Sequence, residues 1–126
     1  MLTVDIISQA AYKFDRKRVR QALESILLGE GLSGSEVEIS LAVVGERKMR
    51  ELHKKYLGSE EVTDVLSFPL EEAAYPDGIL RLGDIVICYP EAINQAREGN
   101  RMVDEEMEFL AGHGLNHLLG KHHDEQ

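Results

Sequence analysis

Cysteine is nearly absent from this chain. The one present, Cys88, has no internal partner, so the disulfide framework of small extracellular domains is excluded and a reducing compartment fits. Long apolar runs are missing too. MLTVDIISQAAYKFDRKR, at the N-terminus, has no basic segment followed by an apolar stretch, and no window approaches the roughly eighteen apolar residues of a membrane span. The expectation is a cytoplasmic protein with no membrane partner. Low-complexity runs and internal repeats are also lacking, which points to an ordinary globule rather than a disordered chain. Positive charge is short overall: 14 Lys and Arg stand against 23 Asp and Glu, a formal charge of -9. Nucleic-acid partners normally demand the opposite balance, because their affinity rests on phosphate neutralisation.

What is present is enough for a core. The 126 residues are 43% hydrophobic, which suits one domain over residues 1–126 burying roughly two-thirds of its unfolded surface. The charge is unevenly spread. Residues 1–60 hold ten Lys and Arg against nine acids, while residues 61–126 hold four against fourteen. The basic residues cluster twice, as Lys13, Arg16, Lys17, Arg18 and Arg20, and as Arg47, Lys48, Arg50, Lys54 and Lys55. Charge alone reads both clusters as solvated helix faces; an anion-facing surface is the other reading.

Hydrophobic periodicity orders the elements. TVDIIS reads as a first strand, and Val19, Ala22, Leu23, Ile26 and Leu27 fall at helical spacing between Asp15 and Leu28, with Gly29 and Gly31 as the stop. EVEISLAVV alternates and then turns wholly apolar, the mark of a strand entering the sheet centre, and Gly45 ends it. A second helix, Glu46 to Leu57, has Met49, Leu52 and Tyr56 spaced for one buried face, leaving its basic residues and His53 on the surface. TDVLSFPL and LGDIVICYP read as a hairpin-like strand pair joined by EEAAYPDGILR with its Pro-Asp-Gly turn. Pro90 opens a third helix that Gly99 closes, and a last helix runs from Asp104, its cap, to Leu119 before Gly120. The predicted class is α+β: a mixed four-stranded sheet with helices packed on it, and a metal site on the C-terminal helix and following turn.

That metal site rests on histidines. There are five, and four fall in the last fourteen residues, HGLNHLLGKHHDEQ. His113 and His117 are four apart, so a helix stacks them one turn apart, about 6 Å, on one face. Gly120 lets the chain leave the helix left-handed and fold back, bringing His123 to the same point. Three neutral imidazoles make an open zinc site with a fourth position left for water or substrate. A lone helical histidine is more often structural, and an HH tail more often solvated; three at this spacing with a glycine at the reversal are much rarer. Either His122 or His123 could be the third ligand, and the turn favours His123.

The same spacing occurs in metzincin proteases, where glutamate follows the first histidine and serves as base. Here that residue is Gly114. Without the carboxylate, amine departure has no proton donor, so a metalloprotease is the remotest alternative. Phosphodiester cleavage needs a dedicated base less: the metal lowers the pKa of its bound water toward ~7 and stabilises charge growing on the phosphoryl oxygens. No side chain is assigned as general base.

HGLNHLLGKHH resembles the signature of the YbeY family of metal-dependent endoribonucleases. TDVLSFPL (Thr63 to Leu70) and LGDIVIC (Leu82 to Cys88) are similar to that family's other two motifs, in the same order. The resemblance implies a single-strand-specific endoribonuclease, acting on the 16S rRNA 3′ end and in quality control of the small ribosomal subunit, with Zn2+ held by His113, His117 and His123. This chain departs from the pattern at Lys121 and His122, where many members carry tyrosine and aspartate, which leaves Asp124 as the carboxylate able to support the site. It also has Leu57 where many members carry an RNA-facing arginine, so phosphate contacts would fall to Lys54, Lys55 or Arg47. The competing reading is a non-catalytic, ribosome-associated RNA- or protein-binding module with a structural metal.

Overall fold

The structure, a computed structural model, describes residues 1–70 and 77–120. Within them the elements run β1 (Leu2–Ser8), α1 (Arg16–Gly29), β2 (Glu36–Val44), α2 (Glu46–Leu57), β3 (Val65–Pro69), β4 (Ile79–Cys88), α3 (Tyr89–Glu98) and α4 (Val103–Leu118). The strands form one mixed sheet in the order β1-β2-β4-β3. β2 pairs parallel with both β1 and β4, and β3 runs antiparallel to β4 as its hairpin partner. This is the α+β class that the sequence predicts. β2, the strand read as central, lies between β1 and β4.

Each face of the sheet has its own cover. Val37, Ile39, Leu41 and Val43 of β2 and Ile85 and Ile87 of β4 point into the larger core, where α1 brings Val19, Leu23 and Leu27 and α4 brings Met107, Leu110, Ala111, Leu115 and Leu118. The alternate residues Val86 and Cys88 point the other way, under Met49 and Leu52 of α2. So α1 and α4 lie on one face and α2 on the opposite one. Among the described residues no helix is long and apolar enough to cross a membrane.

Two glycines set how closely these layers approach. Gly83 sits at φ +134 where β4 carries one extra residue against β2, a bulge between Glu38 and Ile39. A β-carbon there would run into the Phe68 carbonyl oxygen and lie 3.1 Å from Leu118 Cδ2. On α4, a β-carbon at Gly114 would lie 2.7 Å from Ile85 Cγ2. The helix therefore rests directly on β4.

Several expectations are corrected. Asp104 does not cap its own helix: its carboxylate accepts the Asp15 N–H at 2.8 Å, while Met102 is the N-cap and Glu105 accepts the Met102 N–H. Asp15 is the residue that does cap, accepting from the Lys17 and Arg18 N–H groups at the start of α1. Ile79 to Arg81, read as connection, belong to β4, whose start is tied by Asp77 accepting from Arg81 Nη2 at 2.9 Å and from the Ile79 N–H at 3.0 Å. The Arg81 guanidinium, helped by that N–H, holds the Asp77 carboxyl below its usual range. The first basic cluster is not simply a solvated face. Arg16 donates to the Ile6 carbonyl and Arg20 to those of Leu2 and Val4, which seals the outer edge of β1, and Arg18 pairs with Glu108.

Candidate functional site

α4 has two flanks beside the stripe it turns to the sheet. One meets α1, through Asp104, Glu108 and Gly112, the last with Ile26 Cδ1 3.1 Å from its would-be β-carbon. His113 and His117 project from the opposite flank, which the helical phase turns away from α1 and toward β3, the edge strand that α4 also packs against. Their rings lie one turn apart with centroids 4.5 Å from each other and planes 55° apart. Both rings are half-buried. The chain leaves α4 at Leu119, and Gly120 adopts φ +84, the left-handed reversal expected of it.

Two imidazoles at this separation on one rigid face fit the donation of two ligands to a single cation, and neutral nitrogen donors suit zinc. Among the described residues no group of three or more His, Cys, Asp or Glu gathers to hold a metal. The remaining residues expected at the centre, Lys121, His122, His123 and Asp124, lie outside the described residues. Gly114, where a metzincin carries its glutamate, faces Ile85 rather than the histidine flank. A carboxylate side chain has no room there.

The basic residues expected to hold phosphate are all on α2, across the sheet from the histidines. Arg47 is extended into solvent beside Glu51 at 3.6 Å; Lys54 lies 3.9 Å from Glu60; Lys55 Nζ sits 5.2 Å from the centre of the Tyr56 ring. β3 and β4, through Phe68, Val86 and Cys88, stand between this surface and α4. Two residues of α2 exchange their expected places. His53 is 8% exposed, with Nδ1–H donating to the Ser59 carbonyl at 2.8 Å and Nε2 3.6 Å from Glu61, whereas Tyr56 is 55% exposed and leans on Phe68 at 5.0 Å. His53 thus ties down the segment that leads from α2 to β3.

That segment has a second tie. Asp64 accepts the Val65 N–H at 2.7 Å and the Gln95 amide of α3 at 3.0 Å, so it fixes both the start of β3 and the seat of α3. TDVLSFPL and LGDIVIC are accordingly two paired strands, Val65 opposite Ile87 through Pro69 opposite Gly83, and HGLNHLLG lies across them through Gly114 on Ile85 and Leu118 on Gly83. Sequence reasoning missed Phe109, an exposed ring one turn before His113; its signal was an apolar residue out of phase with the buried stripe Met107, Leu110, Ala111.

Three patches far apart in sequence thus meet at one corner of the sheet, and the family profile described as Endoribonuclease YbeY matches residues 5–126, which takes in all three. The chain belongs to the YbeY endoribonuclease family. Curated YbeY relatives agree. That of Moorella thermoacetica is 42% identical over 113 residues, covering 84% of this chain and 72% of the relative. That of Macrococcus caseolyticus is 38% identical over 131 aligned positions, 98% and 83% respectively. Among solved structures, the solution structure of TM1509 from Thermotoga maritima superposes with a TM-score of 0.64 at 28% identity, over 98% of this chain and 77% of that one.

Proposed function

We propose that this YbeY-family chain is a metal-dependent endoribonuclease that cuts single-stranded RNA. Its physiological target is the 3′ end of 16S rRNA on the small ribosomal subunit, where it also serves ribosome quality control, and it works in the cytoplasm as one domain over residues 1–126. The observation that carries this reading is the pair of imidazoles, His113 and His117, set 4.5 Å apart on one flank of α4 just before a left-handed glycine. With His123 they would hold Zn2+. When bound, the ion would supply Lewis acidity toward a phosphoryl oxygen and toward the oxygen of a water, whose pKa it lowers.

The chain's own residues do the rest. Gly114 lets α4 sit against Ile85, which fixes the backbone from which both imidazoles project. Lys54, Lys55 and Arg47, on α2 across the sheet from the imidazoles, would meet phosphates of the strand away from the cut, and the acidic remainder of the chain discourages nonspecific adhesion. Leu57, exposed where many family members carry arginine, favours the second reading, a non-catalytic module that docks on RNA with a structural metal.

One comparison separates them. Zinc-loaded protein should cut a single-stranded oligoribonucleotide, and His117→Ala should cut it at least about 100-fold more slowly, since several kcal/mol of charge stabilisation are removed. Elemental analysis should show zinc lost in the variant. Undiminished cutting by His117→Ala overturns metal catalysis, and binding without cutting by the wild type establishes the module instead.

A further inference from the structure

Phe109 is 64% exposed and belongs to neither buried cluster. Leaving a ring of that size in water forgoes roughly 1.5–3 kcal/mol of burial. Its position is informative. Phe109 stands one turn before His113 on the same flank of α4, with ring centroids 6.2 Å apart and planes only 21° from parallel, and His117 continues the row at 4.5 Å. An apolar plate therefore extends the two imidazoles toward the N-terminal half of the helix.

That half is acidic, and its carboxylates are engaged. Asp104 accepts from Asp15, Glu105 from the Met102 N–H, Glu106 from Arg101 and Glu108 from Arg18. Arg101 and Arg18 offset two of these four charges, and the net negative charge that remains disfavours a sugar-phosphate chain there but not an uncharged planar base. A ligand fitting this row places its phosphate at the histidine end and its base over Phe109. Only an unpaired base offers a free face, because in a duplex both faces are stacked on neighbours.

We propose that Phe109 is the platform on which the unpaired base beside the scissile phosphate stacks, making it a determinant of selectivity for single-stranded over duplex RNA. The inference rests on the nuclease reading above. The histidines supply the centre, and the ring decides which nucleic acid reaches it.

The test uses zinc-loaded protein and a single-stranded oligoribonucleotide carrying 2-aminopurine, with fluorescence followed by stopped flow before cleavage. Wild type should quench the fluorophore by stacking. Phe109→Ala should lose the quench and bind the single strand about 5- to 150-fold more weakly, the range set by base–aromatic stacking. Its zinc content and affinity for duplex RNA should be unchanged, and Phe109→Trp should restore the quench. Equal quenching and affinity in Phe109→Ala, or equal loss for single strand and duplex, overturns the proposal and leaves the nuclease reading intact. A change confined to self-association, read by sedimentation with RNA affinity unaltered, marks a protein contact instead and also overturns it. Failure of the wild type to bind any RNA removes the nuclease reading, and the platform with it.

Discussion

Glu106 is a carboxylate only 1% exposed, held by Arg101 through Nε at 2.9 Å and Nη2 at 2.5 Å. Arg101 itself is half in solvent. Removing the guanidinium leaves a buried charge with no compensation, a defect worth ~3–5 kcal/mol. Arg101→Ala should therefore lower stability by that amount in urea unfolding, with the midpoint shifted and the slope retained; a change under 1 kcal/mol would show that Glu106 finds another partner. Single residues were unevenly legible in the sequence. His113, His117 and Gly120 announced themselves by spacing, and each stands where a helix followed by a left-handed turn puts it. His53 and Tyr56 did not. Both lie within reach of the buried stripe of α2, and hydrophobicity favours Tyr56. The hydrogen bonds His53 makes with the loop, and the support Phe68 offers the Tyr56 ring, reverse the choice.

Helix and strand ends show the same division one scale up. Asp15 and Asp104 carry the same capping signal, yet one caps α1 and the other ties α4 to α1, because only the packed pair brings the Asp15 N–H to the Asp104 carboxylate. Gly99, the stop that composition predicts, sits at the end of α3 with φ -88, and the left-handed residue there is Asn100, at φ +55. The two basic clusters look alike in composition but differ in place, one sealing the edge of β1 and the other remaining on the surface of α2. The seating of α4 gives a prediction for an element. Gly114→Ala puts a methyl against Ile85 in a filled core, so the helix must lift or the isoleucine must leave its rotamer. The expected cost is about 1–3 kcal/mol, seen as a lowered Tm. If the site depends on this seat, zinc content should fall with it. An unchanged Tm would mean that α4 does not sit on β4 as described.

Across the whole molecule the sheet divides two cores of unequal depth. Among the described residues, seventeen buried side chains form the cluster under α1 and α4, whereas Met49, Val86 and Cys88 form the one under α2. The α2 side should open first, since local opening follows buried apolar contact. Cys88 reports on it. Burial raises the thiol's pKa, so in the native state it is both inaccessible and protonated. Ellman's reagent should leave the folded protein unlabelled at neutral pH, and should label it at a urea concentration below the one that melts the helical signal. Coincident transitions would show instead that both cores unfold as one unit.

The sequence by itself determined the order and kind of the elements, the mixed sheet, the paired imidazoles and the three motifs that mark the family, because these depend on local periodicity and fixed spacing. Only the tertiary structure decided which flank of α4 carries the histidines, that Lys54 and Lys55 lie across the sheet from them, that Arg16 and Arg20 close a strand edge, and that Phe109 is left in solvent beside His113. Those facts depend on which residues meet across distances the chain spans only after folding, and residue spacing along a single helix or strand carries no record of them.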